Sequence, residues 1–258
     1  MATNDLKDID GFILREFDYK ESSKIIEVFT KDLGRIPVIA KGINKKNSKN
    51  LALSQRFILA NLSLYKTKGQ FYGLKEGYVK KSYPKSKKSY DIILYKSAIA
   101  DLLTRTMDQI QIDTVYTLLD RTFDAFEEAD GAYINIFLSF LLKYVSFSGY
   151  KPNFTSCGIC GKKISGNDFY FSPDQSSLVC DDCKGQAMDR TYLTKQEYLY
   201  FYKLLYTRSD ELKDIKLVEN FEKIGKIIID YSLKNLDLGR FSSIEWVIKA
   251  LERNVNVL

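Results

Sequence analysis

All four cysteines of the chain fall into two closely spaced pairs, Cys157 with Cys160 and Cys180 with Cys183. Each pair has the spacing C-x2-C, and nineteen residues separate the two pairs. Tetrahedral zinc needs four donors around one point, and a C-x2-C turn presents two sulfurs on one side of the ion. The spacing therefore predicts a zinc ribbon that holds one Zn2+ in a closed site of four cysteines, where the metal serves folding and not catalysis.

Two disulfides or a redox-active pair are the alternatives to zinc. The chain starts at Met1 without an apolar leader, so we expect a cytosolic protein, in which thiols stay reduced. A redox-active C-x2-C motif needs one pair and leaves the second pair without a role. Zinc is favoured over both alternatives.

The chain contains no histidine. This absence removes the commonest general base and excludes Ser-His-Asp and Cys-His arrangements. The carboxylates near the cysteines that could hold a hard catalytic metal are Asp181, Asp182 and Asp189, but adjacent residues in a turn point apart and make a poor shared site. A zinc-ribbon enzyme that modifies nucleic acid is therefore the weaker alternative, and a protein without catalytic activity is favoured.

The formal net charge of +6 is distributed unevenly along the chain. Residues 1–88 contain 19 basic and 9 acidic residues, whereas residues 89–258 contain 20 basic and 24 acidic residues. Within residues 35–88 there are 14 basic residues and one acidic residue, Glu76. A solvated surface normally mixes both signs, so this stretch is expected to attract a polyanion, and nucleic acid is favoured.

The basic part of the chain reads as five short strands separated by turns. They are predicted at residues 11–14, 24–29, 35–40, 57–65 and 70–79. Gly73 and Gly77 interrupt the last strand where a tightly curved sheet would bend. The pattern predicts a small closed barrel of the OB type, and an SH3-like barrel stays open as the alternative.

A flexible basic loop is expected at residues 41–50, between the third and fourth strands. The residues predicted to contact nucleic-acid phosphates lie on the third strand, this loop and the start of the fourth strand; they are Arg35, Lys41, Lys45, Lys46, Lys49 and Arg56. Aromatic residues that bases could stack on are interleaved with them, and about half of these should be barrel core: Phe57, Tyr65, Phe71, Tyr72 and Tyr78. The alternative surface for nucleic acid is Lys80, Lys81, Lys85, Lys87 and Lys88.

After residue 88 the apolar residues recur with the 3.6-residue period of an α-helix, and six helices are expected. Ser89 is the predicted cap of the first, and capping boxes are predicted at Thr194–Glu197 and Ser242–Glu245. The fold class is thus α+β multidomain, with an N-terminal OB-type β-barrel followed by an all-α domain that carries the inserted four-cysteine zinc ribbon. The predicted segments are the barrel at 1–80, the helical domain at 81–150 and 191–258, and the zinc module at 151–190.

Several short motifs occur in an order that is specific, although each is weak singly. They are Gly11-Phe12-Ile13-Leu14, Phe29-Thr30 before Gly34-Arg35, Ala40-Lys41-Gly42, Gly149-Tyr150-Lys151-Pro152 before the first cysteine pair, Phe171-Ser172-Pro173 before the second, and Leu238-Gly239. Over nearly the whole chain the sequence resembles the RecO family of bacterial recombination mediators and DNA repair proteins. It departs from the family pattern at Ser176-Ser177, where glycines are common, and at Asn235, where histidine is common.

The resemblance implies a mediator of the RecF pathway that acts after DNA damage and is not an enzyme. Such a protein binds single- and double-stranded DNA and anneals complementary strands. With the partner RecR it helps to load RecA onto DNA coated with single-strand binding protein (SSB). The resemblance also implies a bacterial cytoplasmic protein at the nucleoid, whose acidic helical part is free for protein partners. A purely protein-binding scaffold is a further alternative.

Overall fold

The computed structural model describes residues 5–106 and 111–255. The chain divides into two compact units, Met1–Phe123 and Asp124–Leu258. The division does not follow the predicted segments, because it falls within the second helix and leaves the first helix with the barrel. The four-segment organisation therefore stays a prediction.

The first unit contains a closed barrel of five strands. They are β1 (Asp5–Tyr19), β2 (Ser23–Thr30), β3 (Gly34–Ala40), β4 (Leu59–Lys66) and β5 (Tyr72–Lys81). The strand order around the barrel is β1-β2-β3-β5-β4, and β3 pairs with β5 in parallel while the other neighbours are antiparallel. This order confirms the predicted OB-type fold.

Alternation along the strands builds the barrel interior. Ile26 and Val28 of β2 and Leu62 and Leu64 of β4 are fully buried, and the residues between them face outward. Gly77 lies where two strands approach closely, since a Cβ atom there would stand 2.5 Å from the carbonyl oxygen of Asn61. The predicted glycine bend in β5 thus coincides with close packing of β5 on β4.

Two helices complete the first unit: α1 (Tyr90–Thr106) and the first part of α2 (Ile112–Glu128). The predicted cap is present, because the backbone N–H of Ile92 donates to Ser89 Oγ at 3.4 Å. The guanidinium of Arg15 on β1 donates from Nε to Asp101 of α1 at 3.1 Å. The helix α1 is therefore tied to the barrel by a charged hydrogen bond.

The second unit is helical with an inserted sheet. The helices that follow α2 are α3 (Tyr133–Phe147), α4 (Lys195–Tyr206), α5 (Phe221–Asn235) and α6 (Ser242–Val255). The sheet lies between α3 and α4 and has the order β6-β8-β7-β9, with β6 (Asn153–Cys157), β7 (Asp168–Ser172), β8 (Ser177–Val179) and β9 (Thr191–Thr194). The insertion was predicted, although its last strand, β9, lies entirely beyond the predicted end of the module at residue 190. None of the described helices has the length and apolar character needed to cross a membrane.

The two predicted capping boxes have different outcomes. At α4 the box is present: the N–H of Glu197 donates to Thr194 Oγ1 at 3.2 Å, and the N–H of Thr194 donates to Glu197 Oε2 at 2.8 Å. At α6 the prediction is wrong, because Ser242 already belongs to the helix and the N–H of Glu245 donates to the Phe241 carbonyl at 3.0 Å. The helix starts one residue earlier than the Ser-x-x-Glu pattern indicates.

Candidate metal centre and nucleic-acid interface

The four cysteine sulfurs converge on one point of the second unit. The Sγ atoms of Cys157, Cys160, Cys180 and Cys183 all lie within 4.8 Å of one another, and those of Cys160 and Cys180 are 3.7 Å apart. A tetrahedral ion with metal–sulfur bonds of about 2.3 Å requires sulfur–sulfur distances of about 3.8 Å. The four cysteines thus form a group that could hold a metal ion, and four soft sulfur donors at this spacing are compatible with zinc.

Two tight turns deliver the sulfurs. Cys157 ends β6, and the chain turns back through Gly161, whose φ is +74° and whose N–H donates to the Cys157 carbonyl at 2.9 Å. The N–H of Ile159 points at Cys157 Sγ at 3.4 Å. The second turn follows β8, and there the N–H of Cys183 donates to the Cys180 carbonyl at 3.0 Å.

The thiols differ in acidity. Burial raises the pKa of the Cys183 thiol to about 12, and hydrogen bonds with neighbouring thiols act in the same direction. Burial also raises the pKa of Cys180. Burial acts to raise the pKa of the Cys157 thiol as well. Hydrogen bonds from the backbone of Cys160, Cys180 and Ile159 outweigh this effect and lower the pKa to about 6. A divalent cation would favour the thiolate form of all four ligands.

The carboxylates beside the cysteines do not form a second centre. Asp181 pairs with Lys184 at 2.9 Å and Asp182 pairs with Lys162 at 3.2 Å, and both carboxylates are exposed. Within residues 5–106 and 111–255, the cysteine quartet is the one group of three or more potential ligands close enough to share a metal ion. This arrangement weakens the alternative of a carboxylate-based nucleic-acid-modifying enzyme.

The predicted basic loop lies between β3 and a short 3-10 helix, Leu51–Ser54. Its lysines are all exposed: Lys41, Lys45, Lys46 and Lys49. In the part of the chain that the structure describes, none of the four pairs with a carboxylate. Their charge is therefore available to an external anion.

The start of the loop is anchored to the turn between β1 and β2, and the flexibility of the loop as a whole stays a prediction. The N–H of Asn44 donates to the Ser22 carbonyl at 3.0 Å, and the N–H of Gly42 donates to Ser23 Oγ at 3.3 Å. Ile43 is 1% exposed and belongs to the barrel core. Ile43 is a single apolar residue among polar ones in the sequence. Its burial fixes the start of the loop beside the turn between β1 and β2.

The two predicted arginines belong to other segments than the basic loop. Arg35 is near the start of β3, and about 20 Å of strand separates it from Lys41. Its guanidinium is 3.6 Å from Glu27, which compensates part of its charge. Arg56 is exposed and lies over the Phe57 ring at 5.3 Å. The structure thus groups four of the six predicted phosphate contacts.

The predicted stacking aromatics divide between interior and surface. Phe57 is buried and Tyr72 packs against the barrel core, whereas Tyr78 is 60% exposed. Tyr65 and Phe71 are half-buried. Phe57 does not start β4, as predicted, but occupies a turn two residues before it with φ +64°.

A row of apolar side chains on the outside of the barrel was missed. Strand register aligns Phe17 with Ile25, Ile25 with Ile39, Ile39 with Gly73, and Gly73 with Tyr65. A Cβ atom on Gly73 would stand 2.0 Å from the Tyr65 ring, so that ring lies directly on the glycine. We call Phe17, Ile25, Ile39 and Tyr65 the outer stripe.

The exposed end of the outer stripe lies on β1. Phe17 is 48% exposed, and Tyr19, two residues further on, is also exposed and has Lys20 Nζ 5.3 Å from its ring centroid. The predicted strand ended at Leu14, whereas β1 continues to Tyr19 after a register shift between Ile13 and Arg15. Alternation continued beyond Leu14 would have directed both rings to the same face as the buried Ile13, and the register shift reverses this direction.

Two of the five lysines of the alternative DNA surface, both at the end of β5, are compensated by acids. Lys80 pairs with Asp10 at 2.5 Å, and Lys81 pairs with Asp120 at 2.8 Å. The bond to Asp10 is the main cause that raises the pKa of Lys80. The loop lysines are therefore the stronger candidates for phosphate contacts.

Two family models together match most of the chain. The description "Recombination protein O N terminal" applies to residues 4–83, and "Recombination protein O C terminal" applies to residues 88–243. The boundary between the two matches falls between the barrel and α1.

Curated relatives match over nearly their whole length. The chain is 26% identical over 242 residues to the DNA repair protein RecO of Caldanaerobacter subterraneus subsp. tengcongensis, covering 93% of this chain and 96% of the relative. It is 28% identical over 241 residues to the one of Alkaliphilus metalliredigens, covering 92% and 96%. It is 30% identical over 223 residues to the one of Clostridium novyi, covering 84% of each. The chain therefore belongs to the RecO family of DNA repair and recombination proteins.

Proposed function

We propose that this protein is a recombination mediator without catalytic activity that binds single- and double-stranded DNA and anneals complementary strands. Together with RecR it would help to load RecA onto DNA coated with SSB. The observation that carries this proposal is the group of uncompensated loop lysines on a barrel whose strand β1 exposes the rings of Phe17 and Tyr19. Membership in the RecO family supports the general role in DNA repair and recombination.

The loop lysines bind phosphates, and bases stack on the exposed rings of Phe17 and Tyr19. Lysine recognises charge and reads no base edge, so binding should depend little on sequence. The turn between β1 and β2 brings Tyr19 and Lys20 beside the loop, since Asn44 is bonded to Ser22 in that turn. A strand that crosses the barrel at this end would meet cations and rings together.

Annealing follows from charge neutralisation and needs no catalytic residue. Two strands repel each other through their phosphates, and a surface that neutralises both lowers this repulsion. The absence of histidine from the sequence and the ion-paired carboxylates beside the cysteines agree with a mediator and not a hydrolase.

The cysteine quartet holds one structural zinc ion in this proposal. Four sulfur ligands leave no open position for water, so the metal would contribute folding free energy and supply no Lewis acid. Elemental analysis of protein purified under reducing conditions should give one zinc per chain. A chain that folds without any zinc would contradict this part of the proposal.

RecR and SSB are the proposed protein partners, and RecA is reached indirectly. The second unit lies in the acidic part of the sequence, which makes it the proposed site for these proteins. A cytoplasmic bacterial location at the nucleoid accompanies this role.

A salt titration of single-strand binding tests the proposal. If about five phosphates are neutralised, log K should fall against log salt with a slope of roughly −3.5, because each contributes about 0.7. Replacing Lys45 and Lys46 by alanine should make the slope shallower by about 1.4 and weaken annealing in parallel. Fluorescence anisotropy of a labelled oligonucleotide measures the slope.

The matched control replaces Lys75 and Lys80 by alanine. These lysines lie on the same barrel, but they pair with Asp5 and Asp10, so their loss should leave the slope nearly unchanged. A normal slope in the Lys45/Lys46 variant together with a reduced slope in the Lys75/Lys80 variant would move the DNA surface away from the loop.

A further inference from the structure

A row of aromatic rings runs along α4 in the second unit. Tyr198, Tyr202 and Tyr206 are spaced four residues apart. The ring centroids of Tyr198 and Tyr202 are 6.2 Å apart, and those of Tyr202 and Tyr206 are 4.5 Å apart. Phe169 of β7 extends the row, since it stacks on Tyr198 at 4.1 Å with an interplanar angle of 5°. We call these four residues the aromatic ladder.

One end of the ladder is fixed and the other is open. Tyr198 is half-buried and contacts the buried Phe154 ring with the centroids 6.2 Å apart. Tyr202 is 36% exposed and Tyr206 is 44% exposed. The buried end therefore holds the first rings in place while the last two present ring surface to solvent.

Cations flank the aromatic ladder. Lys151 Nζ lies 4.8 Å from the centroid of Tyr206. Lys195 and Lys203 are exposed, and the helical spacing of three residues places Lys195 beside Tyr198 and Lys203 beside Tyr206. No carboxylate of the described residues forms an ion pair with these three lysines.

The positive charge of the lysines beside the aromatic ladder is not compensated by acidic residues of α4. The one acidic residue of α4 is Glu197, which is 3% exposed and paired with Lys223 at 2.9 Å. The exposed side of α4 therefore carries positive charge, although residues 89–258 as a whole contain more acidic than basic residues. Such a local reversal of sign marks a surface for an anionic ligand.

We propose that the aromatic ladder is a second binding surface for single-stranded nucleic acid. Bases stack on Tyr202 and Tyr206, and Lys151, Lys195 and Lys203 hold the adjoining phosphates. The rings of Tyr202 and Tyr206 are 4.5 Å apart and tilted by 36° to each other, so they form one aromatic surface on which bases can stack. This inference rests on the proposed function, to which it adds a site outside the barrel.

The same helix fits a protein partner less well. Protein interfaces also use tyrosine, but lysine is depleted in them, and α4 exposes lysines beside its tyrosines and a single aliphatic residue, Leu199. The remaining exposed side chains of the helix are tyrosine, lysine and glutamine. Rings beside cations are the combination that unpaired bases recognise.

The test compares ring removal with ring retention in the full-length protein. Tyr202→Leu/Tyr206→Leu keeps apolar area but removes the π-faces, so it should bind a labelled thymidine oligonucleotide about tenfold more weakly. Tyr202→Phe/Tyr206→Phe should bind it like the unchanged protein. An oligonucleotide of abasic sites has the same phosphates without bases, and its affinity should be equal for all three proteins.

Trp246 provides the matched control. It is 48% exposed and has Lys249 Nζ 4.9 Å from its ring, so it is an isolated aromatic residue beside a cation in the same unit. Trp246→Leu should leave binding unchanged. A strand containing 5-iododeoxyuridine should crosslink on irradiation to a peptide that contains Tyr202 or Tyr206.

The outcomes separate this inference from the proposed function. Unchanged affinity in Tyr202→Leu/Tyr206→Leu, together with weakened binding in the Lys45/Lys46 variant, would overturn the ladder alone. Equal weakening on the abasic strand would overturn base stacking, and loss of a protein contact with intact DNA binding would assign α4 to a protein partner. Failure of the unchanged protein to bind any single strand would overturn both proposals.

Discussion

The barrel and the cysteine end of the inserted sheet are both small β-structures, but their interiors differ. Among the residues that the structure describes, thirteen buried ones form the barrel core, all of them apolar, and they come from all five strands and the segment between β3 and β4. The cluster beside the metal centre has four buried residues in the same described part of the chain, and two of these are Cys157 and Cys183. The barrel is closed by apolar burial, whereas the sheet end has too little apolar surface to be stable by burial alone.

The difference indicates which forces hold each region. Hydrophobic burial does not respond to chelators and responds little to pH, whereas a thiolate cluster depends on its metal. The second unit also uses charge at α4, where the Glu197–Lys223 pair secures the helix that follows the sheet. The predictions below test this contrast, from the largest effect to the smallest.

Replacing Cys180 by serine should have the largest effect. Structural zinc contributes about 10–16 kcal/mol in small zinc peptides, so the loss of one ligand should unfold the region from β6 to β9. The barrel should stay folded and should still bind DNA through the loop lysines. Hydrogen exchange measured by mass spectrometry would show fast exchange confined to residues 153–194.

A chelator applied to the unchanged protein provides the control for that substitution. It should reproduce the same local exchange pattern without any change of sequence. Slow exchange in residues 153–194 after complete removal of the metal would show that the sheet is held by packing, and the contrast with the barrel would be lost.

Replacing Leu62 by alanine should destabilise the barrel and not the metal centre. Leu62 is fully buried on β4, and truncation of such a residue costs about 3 kcal/mol through lost burial and the cavity left behind. Urea unfolding should detect the loss, and the zinc content should be unchanged. Leu51→Ala is the matched control, because Leu51 is 50% exposed and its loss should cost about 0.5 kcal/mol or less.

Replacing Glu197 by glutamine should expose a pH dependence in the second unit. Burial acts to raise the pKa of Glu197, but the hydrogen bonds from Lys223 and from the N–H of Thr194 outweigh it and hold the pKa below its usual value. A carboxyl group whose pKa is lower in the folded protein stabilises the fold above its unfolded pKa of about 4.3, and this contribution is lost as the pH falls through the folded value. Glutamine keeps the capping box and removes the charge.

At pH 7 the substitution Glu197→Gln should lower the free energy of unfolding by about 2 kcal/mol, since a charged hydrogen bond at a largely buried group is lost. The difference from the unchanged protein should shrink as the pH falls below about 4. Paired urea titrations from about pH 3 to about pH 7 measure it. A difference that stays constant over this range would mean that shape and not charge secures α4.

Several features were predictable because local pattern determines them. Alternation gave the strands, the cysteine spacing gave the metal centre, and Thr194 with Glu197 gave the cap of α4. These features depend on residues that are close in sequence, and the competing conformations cannot satisfy the same pattern.

Other features depend on contacts between distant residues. The register shift after Ile13 extends β1 and turns Phe17 outward, and no local pattern fixes a bulge. The aromatic ladder requires Phe169 of β7 to stack on Tyr198 of α4, and these residues belong to different elements of the second unit. The tyrosine spacing on α4 was visible in the sequence, but helical periodicity alone does not tell an exposed ring from a buried one.

The smallest predicted effect concerns the two serines that depart from the family pattern. Ser176 has φ +46°, a conformation that costs a residue with a side chain about 1 kcal/mol and costs glycine little. Replacing Ser176 by glycine would remove this conformational cost. Part of the resulting stabilisation is offset, because glycine is more flexible in the unfolded chain. Ser176→Gly should therefore raise the free energy of unfolding by about 0.5 kcal/mol.

Its neighbour should respond with the opposite sign. Ser177 starts β8 and is buried, and its Oγ donates to the Ser156 carbonyl at 2.9 Å. Ser177→Gly removes that hydrogen bond and leaves a partly buried carbonyl without its partner, so it should lower the free energy of unfolding by about 1 to 2 kcal/mol. Urea unfolding of the two variants side by side measures both changes. Equal signs would mean that the backbone at Ser176 is not under strain and that glycine at this position relieves nothing.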